Sequence, residues 1–462
     1  MKPQRSHKSC WTCKSRRRKC DRAHPTCRSC DQRGIVCEGY EVRLRWGSGI
    51  ASRGAFTGAE KPVRESVVPK EKGRRRDRER CQRVLSGQLD GPSGSTARIQ
   101  GLGRDEDDES VFGEFFSTGI DILCAVNDSA CLLRQQLPGL CQKSEALYRI
   151  CLALQVLITP SRSDQFFEYF DTALKRFRLE LDQNAAELAD GTFTAGLLLC
   201  TIGVMHGTPW TMHLQGLYNV LLVNGLAPTH QQPTPYQAHL LEVMGVMDLP
   251  TFTIGRQRPH FGIWRHYCRN RGEPDAVEIV SGLPKSLLDL LSCIDEEVTE
   301  EDFWDWPGMR GTLVQYQLWE AYRLAGALTV RFRYLLLPAR VSSQYATRRE
   351  QLQKLSPPTE VVVSRIVSHI DAICRASIGT EGQNSLVLNS VQYPVLIAGL
   401  QSEVINGDAE LKSVIKTCLS MNVRRKESNR LLYAILEEWW RCEEPRSVHE
   451  LAESRGAELG LF

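Results

Sequence analysis

Six of the first 37 residues are cysteines, and they fall into two copies of one pattern. Cys10, Cys13 and Cys20 are spaced C-x2-C-x6-C, and Cys27, Cys30 and Cys37 repeat that spacing 17 residues later. In a polar N-terminus such spacing predicts zinc ligation rather than a disulfide frame. The two x6 gaps differ in charge. The first is Lys14-Ser15-Arg16-Arg17-Arg18-Lys19; the second is Asp31-Gln32-Arg33-Gly34-Ile35-Val36. One half therefore carries a dense basic segment, the charge pattern of a module that sets one face against nucleic-acid phosphates.

Two tetrahedral zinc ions need eight coordination places, and six cysteines supply six. Either two thiolates bridge both metals, or two further residues join. His7 and His24 each lie three residues before the first cysteine of their repeat, also 17 apart, so a Cys3His site in each half satisfies the same count. Spacing leaves both arrangements open.

The run from Cys10 to Cys37, with a basic first gap, Asp21 after Cys20 and Pro25 two residues before Cys27, resembles the fungal zinc binuclear cluster (Zn2Cys6) family over residues 10–40. The resemblance implies a cofactor of two Zn2+ ions held by Cys10, Cys13, Cys20, Cys27, Cys30 and Cys37. In that family the first and fourth cysteines bridge. Carried over, Cys10, Cys13, Cys20 and Cys27 hold one zinc, and Cys27, Cys30, Cys37 and Cys10 the other. His7 and His24 then stay at the surface, and Pro25 shapes the loop between the halves.

The same resemblance implies how double-stranded DNA is read. Each C-x2-C-x6-C begins a short helix, and the end of the first enters the major groove. By position Arg16 and Arg17 match the family's base-reading residues, while Lys14, Arg18, Lys19 and Arg22 are placed for phosphates. A CGG triplet is the family's target. An arginine fork bonds bidentately to guanine O6 and N7, worth roughly 1–3 kcal/mol of discrimination per pair. A nuclear import signal is the competing reading of the basic run, and both roles can coexist.

Charge divides the chain. Residues 1–104 hold 26 Lys/Arg against 10 Asp/Glu, a net of +16; residues 105–462 hold 32 against 45, a net of −13. A near-neutral total of +3 thus conceals a basic arm on an acidic body. The expected domains are a Zn2Cys6 DNA-binding domain at 1–45, a disordered linker at 46–114 and an all-α regulatory domain at 115–462. The linker is rich in Gly, Ser, Pro, Arg and Asp, and its block Lys70–Arg78 reads as a second candidate import signal. No apolar heptads follow the cluster, and Gly73, Gly87, Gly91, Pro92 and Gly94 interrupt any coiled coil. A homodimer, if formed, is expected through the body. Asp105–Glu109 with Val111, Phe112, Phe115 and Phe116 mixes acid with aromatics, either as activation segments do or as an acidic lead into a first helix.

Met1–Ser9 is polar and basic, unlike a secretory leader. The longest apolar stretch, Ala195–Met205, is too short for a bilayer, so no membrane partner is expected. The other eleven cysteines are scattered singly, as reduced core thiols in a nuclear protein would be. Apolar spacing predicts helices over Leu132–Ile158, Asp164–Leu181, Thr194–Leu226, Pro284–Ile294, Leu313–Leu337, Thr359–Ile378 and Leu411–Trp440. Only Val361-Val362-Val363 carries a strand bias.

Several stretches of this body resemble the fungal-specific transcription factor domain. They are His213-Leu214-Gln215-Gly216, Asp248-Leu249-Pro250 through Gly255-Arg256-Gln257 to Trp264 and Cys268, Gly282-Leu283-Pro284 with Leu287–Leu291, and Trp439-Trp440 running into Gly460-Leu461-Phe462. The resemblance implies a helical regulatory domain, in some relatives receiving a small-molecule effector. Enzyme signatures are absent: no G-x-S-x-G or G-x4-G-K-[ST] occurs, and His449-Glu450-Leu451-Ala452-Glu453 lacks the second histidine of a zinc protease. His260 and His266 flank Trp264 and are expected as core or surface residues rather than pocket groups. The expected function is nuclear: a sequence-specific DNA-binding regulator engaging the transcription machinery, with activation as the expected sign. The alternative is a zinc-stabilised nuclear interaction protein that does not read DNA sequence.

Overall fold

Helix starts in the larger part of the molecule follow capping residues written in the sequence. Thr234, Thr299 and Thr312 each accept from the amide three residues on, while Gln237, Asp302 and Gln315 reach back to the cap amide. Each such reciprocal pair satisfies two amides that a helix end otherwise leaves orphaned. The computed structural model describes residues 10–37 (except 11, 14, 15, 17–19, 22, 24 and 25), 106–126, 131–183, 189–223, 233–333 (except 272, 274, 275 and 297), 357–378, 385–442 and 447–462. The chain divides into two units, Met1–Ile99 and Gln100–Phe462. The expectations for the linker, the Lys70–Arg78 block and the missing heptads fall outside the described residues up to 105.

The second unit is helical, as expected. Its centre is the helix Asp190–His206, buried on every face from Gly191 to Cys200 and again from Ile202 to Met205. Glu145–Ile158 is buried almost as completely, from Ala146 to Val156. A helix apolar all round belongs in the interior of a large domain. Further helices surround this pair: Glu106–Ser117, Leu132–Lys143, Phe166–Gln183, Thr211–Val223, Pro235–Met247 and Lys426–Arg441. A second group, Leu313–Arg331, Thr359–Ser377, Gln392–Gly399 and Ala409–Met421, packs together in the C-terminal half. Val361-Val362-Val363 lies within Thr359–Ser377, where Val362 and Val363 are fully buried. Helical spacing with Ile366, Val367 and Ile370 outweighs the local strand bias of the triplet.

Three of the long expected helices are each two, Leu411–Trp440 among them, which is Ala409–Met421 and Lys426–Arg441 with the tight turn Val423–Arg425 between. Ser144 ends Leu132–Lys143 and caps Glu145–Ile158, its hydroxyl accepting from the Leu147 amide at 3.0 Å. Gly207 ends Asp190–His206 in the left-handed region at φ 72°, and Pro209 follows. A side chain at Gly207 would also strike Leu431, whose Cδ1 lies 2.6 Å from a built Cβ. The helix Pro235–Met247, with proline at its first turn, was not anticipated among its flanking prolines, nor was Gln392–Gly399. The acidic stretch at 105–109 runs into the helix Glu106–Ser117, with Val111 and Phe115 fully buried. Its Asp108 pairs with Arg149, which also holds Glu145, and Asp107 pairs with Arg162.

The last residues close the fold. Ala457–Phe462 are all buried, and Thr253–Ile254 pairs antiparallel with Leu459–Gly460 in the one two-stranded sheet among the described residues. The buried Glu458 carboxylate accepts from the amides of Trp210 at 2.6 Å, Thr211 at 3.0 Å and Gln257 at 2.8 Å, and from the Thr211 hydroxyl at 2.5 Å. Buried Arg425 donates to main-chain oxygens of Asn389, Gly460 and Phe462 and to the Gln392 side chain.

The stretches that carried the family resemblance are packing and hydrogen-bonding devices. Asp248 is buried and accepts from the Phe261 and Ile263 amides and from Arg256. Trp264 donates to Asp289, Trp319 to the Gly282 carbonyl, and Trp439 and Trp440 to the carbonyls of Leu400 and Gly399. His260 lies 3.1 Å from Asp295.

Burial, with the nearby Arg178 guanidinium, drives the His213 imidazole down to about 4. Its ordinary value in an unfolded chain is near 6.5. Below that value the unfolded state takes up a proton that the folded state refuses. Stability should therefore be full above pH 6.5 and fall by about 3 kcal/mol as the pH drops towards 4. Urea midpoints at pH 7, 6 and 5 measure that slope, and His213→Gln should flatten it.

The cysteines depart from the expectation of single scattered thiols. Cys124 lies near Cys131, Cys141 near Cys151, and Cys374 near Cys418. Cys442 alone among the described thiols is exposed. Residues distant by spacing meet because neighbouring helices bring them together, which periodicity cannot register.

Candidate metal centre and nucleic-acid interface

Among the described residues of the N-terminal unit, the buried cluster is made of its own cysteines. Cys10, Cys13, Cys20, Cys27 and Cys30 are buried, and Cys37 is partly so. The 17-residue repeat in sequence becomes a repeat in hydrogen bonding. The Cys13 amide donates to the Cys10 sulfur at 3.4 Å, and the Cys30 amide to the Cys27 sulfur at 3.3 Å. The Cys10 amide donates to Cys20 at 3.4 Å, and the Cys27 amide to Cys37 at 3.5 Å. Amides aimed at sulfur favour the thiolate, the form that ligates metal.

Local sequence sets this geometry. Cys27 caps the short helix Arg28–Asp31, and Gly34, at φ 62°, turns the chain so that Ile35 bonds back to the Cys30 carbonyl at 3.1 Å. Gly34 takes a left-handed conformation that costs a side-chain-bearing residue about 1 kcal/mol. In the first repeat Thr12 and Cys13 are helical, and the Arg16 amide reaches the Thr12 carbonyl at 3.2 Å. Asp21 accepts from the Arg28 and Ser29 amides at 3.1 and 3.2 Å, anchoring the second helix start to the chain that leaves Cys20. The Thr12 hydroxyl donates to the Val36 carbonyl at 3.1 Å and ties the two repeats together. Sequence reading noted Asp21 only as part of a resemblance and passed over Thr12. The helix-capping preference of aspartate was the signal available for the first.

The sulfurs form two sets of four. Cys10, Cys13, Cys20 and Cys27 lie within 4.8 Å of one another, as do Cys10, Cys27, Cys30 and Cys37. Cys10 and Cys27 belong to both. Their sulfurs are 3.5 Å apart, Cys10 to Cys30 is 3.9 Å, and Cys13 to Cys27 is 3.6 Å. A zinc–sulfur bond of about 2.3 Å gives a tetrahedron whose edge is ~3.8 Å, so these spacings fit zinc. Counted in both sets, the shared pair supplies the two places that six cysteines leave unfilled out of eight, without needing His7 or His24, which lie outside the described residues. Burial pushes the Cys27 thiol up to about 12 and the Cys10 thiol further, so ionised sulfur here needs a cation beside it.

Of the expected DNA contacts, Arg16 is described and is exposed. Lys14, Arg17, Arg18, Lys19 and Arg22 lie outside the described residues, as does Pro25. Among the described residues no helix is long and apolar enough to cross a membrane.

Residues 8–47 match the Fungal Zn(2)-Cys(6) binuclear cluster domain, and residues 110–297 match the Fungal specific transcription factor domain. The chain is thus similar to each of these families over the segment matched. The cluster of the first family binds two zinc ions, and here six cysteines stand positioned for them. Both are families of transcription factors, which are not enzymes. Over 37 residues the chain is 43% identical to the arginine metabolism regulation protein II of Saccharomyces cerevisiae. That match covers 8% of this chain and 4% of the relative, so the likeness is confined to the cluster domain. No solved structure matches the chain.

Proposed function

We propose that this chain is a sequence-specific, DNA-binding transcription regulator of a fungal nucleus, reading a CGG-like core through a binuclear zinc cluster. Both domains it carries are those of fungal transcription regulators. The carrying observation is the pair of four-sulfur sets joined at Cys10 and Cys27, with the basic gap on only one repeat. The metals, bound by Cys10, Cys13, Cys20, Cys27, Cys30 and Cys37, supply the cross-links that a segment too small for a hydrophobic core needs. Two Zn2+ and six thiolates sum to −2, which the adjacent cations partly offset.

In this reading Arg16 and Arg17 bond guanine edges, while Lys14, Arg18, Lys19 and Arg22 hold phosphates and fix the register. Residues 1–45 then bind DNA, 46–105 tether, and the body from the helix Glu106–Ser117 onward is regulatory, engages the transcription machinery, pairs any homodimer and activates.

Arg17→Ala is the test. Selection of bound sites from a random DNA pool by the full chain should yield CGG-containing sequences. The variant should lose 10- to 100-fold on the selected site and little on random DNA, with two zincs retained. A small, equal loss on every DNA would indicate the alternative, a nuclear interaction protein that does not read sequence. Salt dependence does not separate the two, because phosphate contacts give it in both.

A further inference from the structure

Besides the sulfurs, Asp21 and Thr12 tie the two repeats together, at opposite ends of the second. Asp21 acts where the second helix starts, through the amides of Arg28 and Ser29. Thr12 acts on the segment that closes the second repeat. It lies in the two-residue gap between Cys10 and Cys13, and only 6% of it is exposed. Its hydroxyl donates to the Val36 carbonyl at 3.1 Å, across 24 positions of chain. Its own carbonyl accepts the Arg16 amide at 3.2 Å, one helical turn on. Thr12 is therefore a link with two ends: the second repeat holds one, and the main chain of exposed Arg16 holds the other.

We propose that Thr12 is a positioning residue for base reading, fixing the rotation of the Arg16 turn against the second repeat. The inference rests on the reading that Arg16 bonds a guanine edge. Two parallel bonds from one guanidinium demand direction as well as reach, because both must align at once. Phosphate contacts by long cationic side chains tolerate a small rotation, since they carry position rather than sequence. The sulfur cage leaves that rotation open: Cys10 and Cys13 grip the turn at its start, and Arg16 stands three residues beyond. For folding the hydroxyl is cheap to lose. Val36 is 85% exposed, so water replaces the hydroxyl at its carbonyl, and a methyl suits the buried side chain of residue 12. Removing the hydroxyl thus relaxes direction while both four-sulfur sets stay complete.

The test uses the full, zinc-loaded chain and two duplexes: the site it selects from a random pool, and that site with its core triplet scrambled. Thr12→Val keeps the shape and removes the hydroxyl; Thr12→Ser keeps the hydroxyl. By fluorescence anisotropy, Thr12→Val should bind the selected duplex roughly five- to tenfold more weakly and the scrambled one within about twofold of the parent chain. Thr12→Ser should restore the parent ratio. Because the effect passes through Arg16, Thr12→Val should add less than about twofold in an Arg16→Ala background, the coupling a double-mutant cycle reads. Native mass spectrometry should count two zincs in every variant. Equal weakening on both duplexes, an unchanged ratio, or full additivity with Arg16→Ala overturns the proposal. So does loss of zinc in Thr12→Val, which would make the residue a support of the cluster alone. A parent chain that selects no sequence removes the reading of Arg16 itself, and this inference with it.

Discussion

Cys10→Ser and Cys27→Ser will each cost the chain both of its metals. Each of these sulfurs belongs to both four-sulfur sets, so each substitution leaves two incomplete tetrahedra. Zinc measured by mass spectrometry should fall from two per chain to well under one. Cys37→Ser damages one set and should leave about one. Structural zinc contributes on the order of 10–16 kcal/mol of apparent binding free energy in small zinc modules. Losing both sites therefore unfolds the unit, and affinity for the selected DNA should drop at least 100-fold by fluorescence anisotropy. The contrast between Cys10 and Cys37 carries the argument. Equal loss at the two positions would mean that no sulfur is shared, and a loss at His7→Ala or His24→Ala would point to Cys3His sites.

Glu458→Ala should be the most damaging single change in the body. Glu458 is fully buried, and its two oxygens take four donors from Trp210, Thr211 and Gln257, about 200 to 250 positions earlier. Alanine leaves those donors buried without partners. Each costs roughly 1–3 kcal/mol, and relaxation recovers part, giving an expected loss of about 3–5 kcal/mol. Urea unfolding followed by tryptophan fluorescence measures it. Glu458→Gln keeps acceptor oxygen for the amides and should cost clearly less. Because Gly207 also receives the Glu458 amide, and Leu461 bonds Phe252, the C-terminal segment should loosen with the variant and exchange its amide hydrogens faster.

The metal centre was legible because its chemistry is local. Cysteine spacing fixes how far apart sulfurs can fall, and the 17-residue offset passes directly into matched amide–sulfur bonds at Cys10, Cys13, Cys27 and Cys30. Ligand counting left both bridging and histidine joining open; sulfur positions favour bridging. Helices with one apolar face, such as Phe166–Gln183 and Thr359–Ser377, were legible from spacing to within two residues at either end. Boundaries inside apolar runs were not. At Ser144 and Gly207 the hydrophobic pattern continues across the break, and only a hydroxyl cap or a left-handed glycine ends the helix.

What the sequence by itself determined is the pair of cysteine repeats, the one-sided basic gap, the helical class of the body and the absence of enzyme signatures. These depend on residue type and short spacing, which survive without knowledge of neighbours. Tertiary structure alone decided that Cys10 and Cys27 stand in both sulfur sets, that Glu458 binds strands of chain far upstream, and that Thr12 meets Val36 across the repeats. Such pairings form because packed helices bring distant positions to one place, and no periodicity in the chain records which helix lies against which.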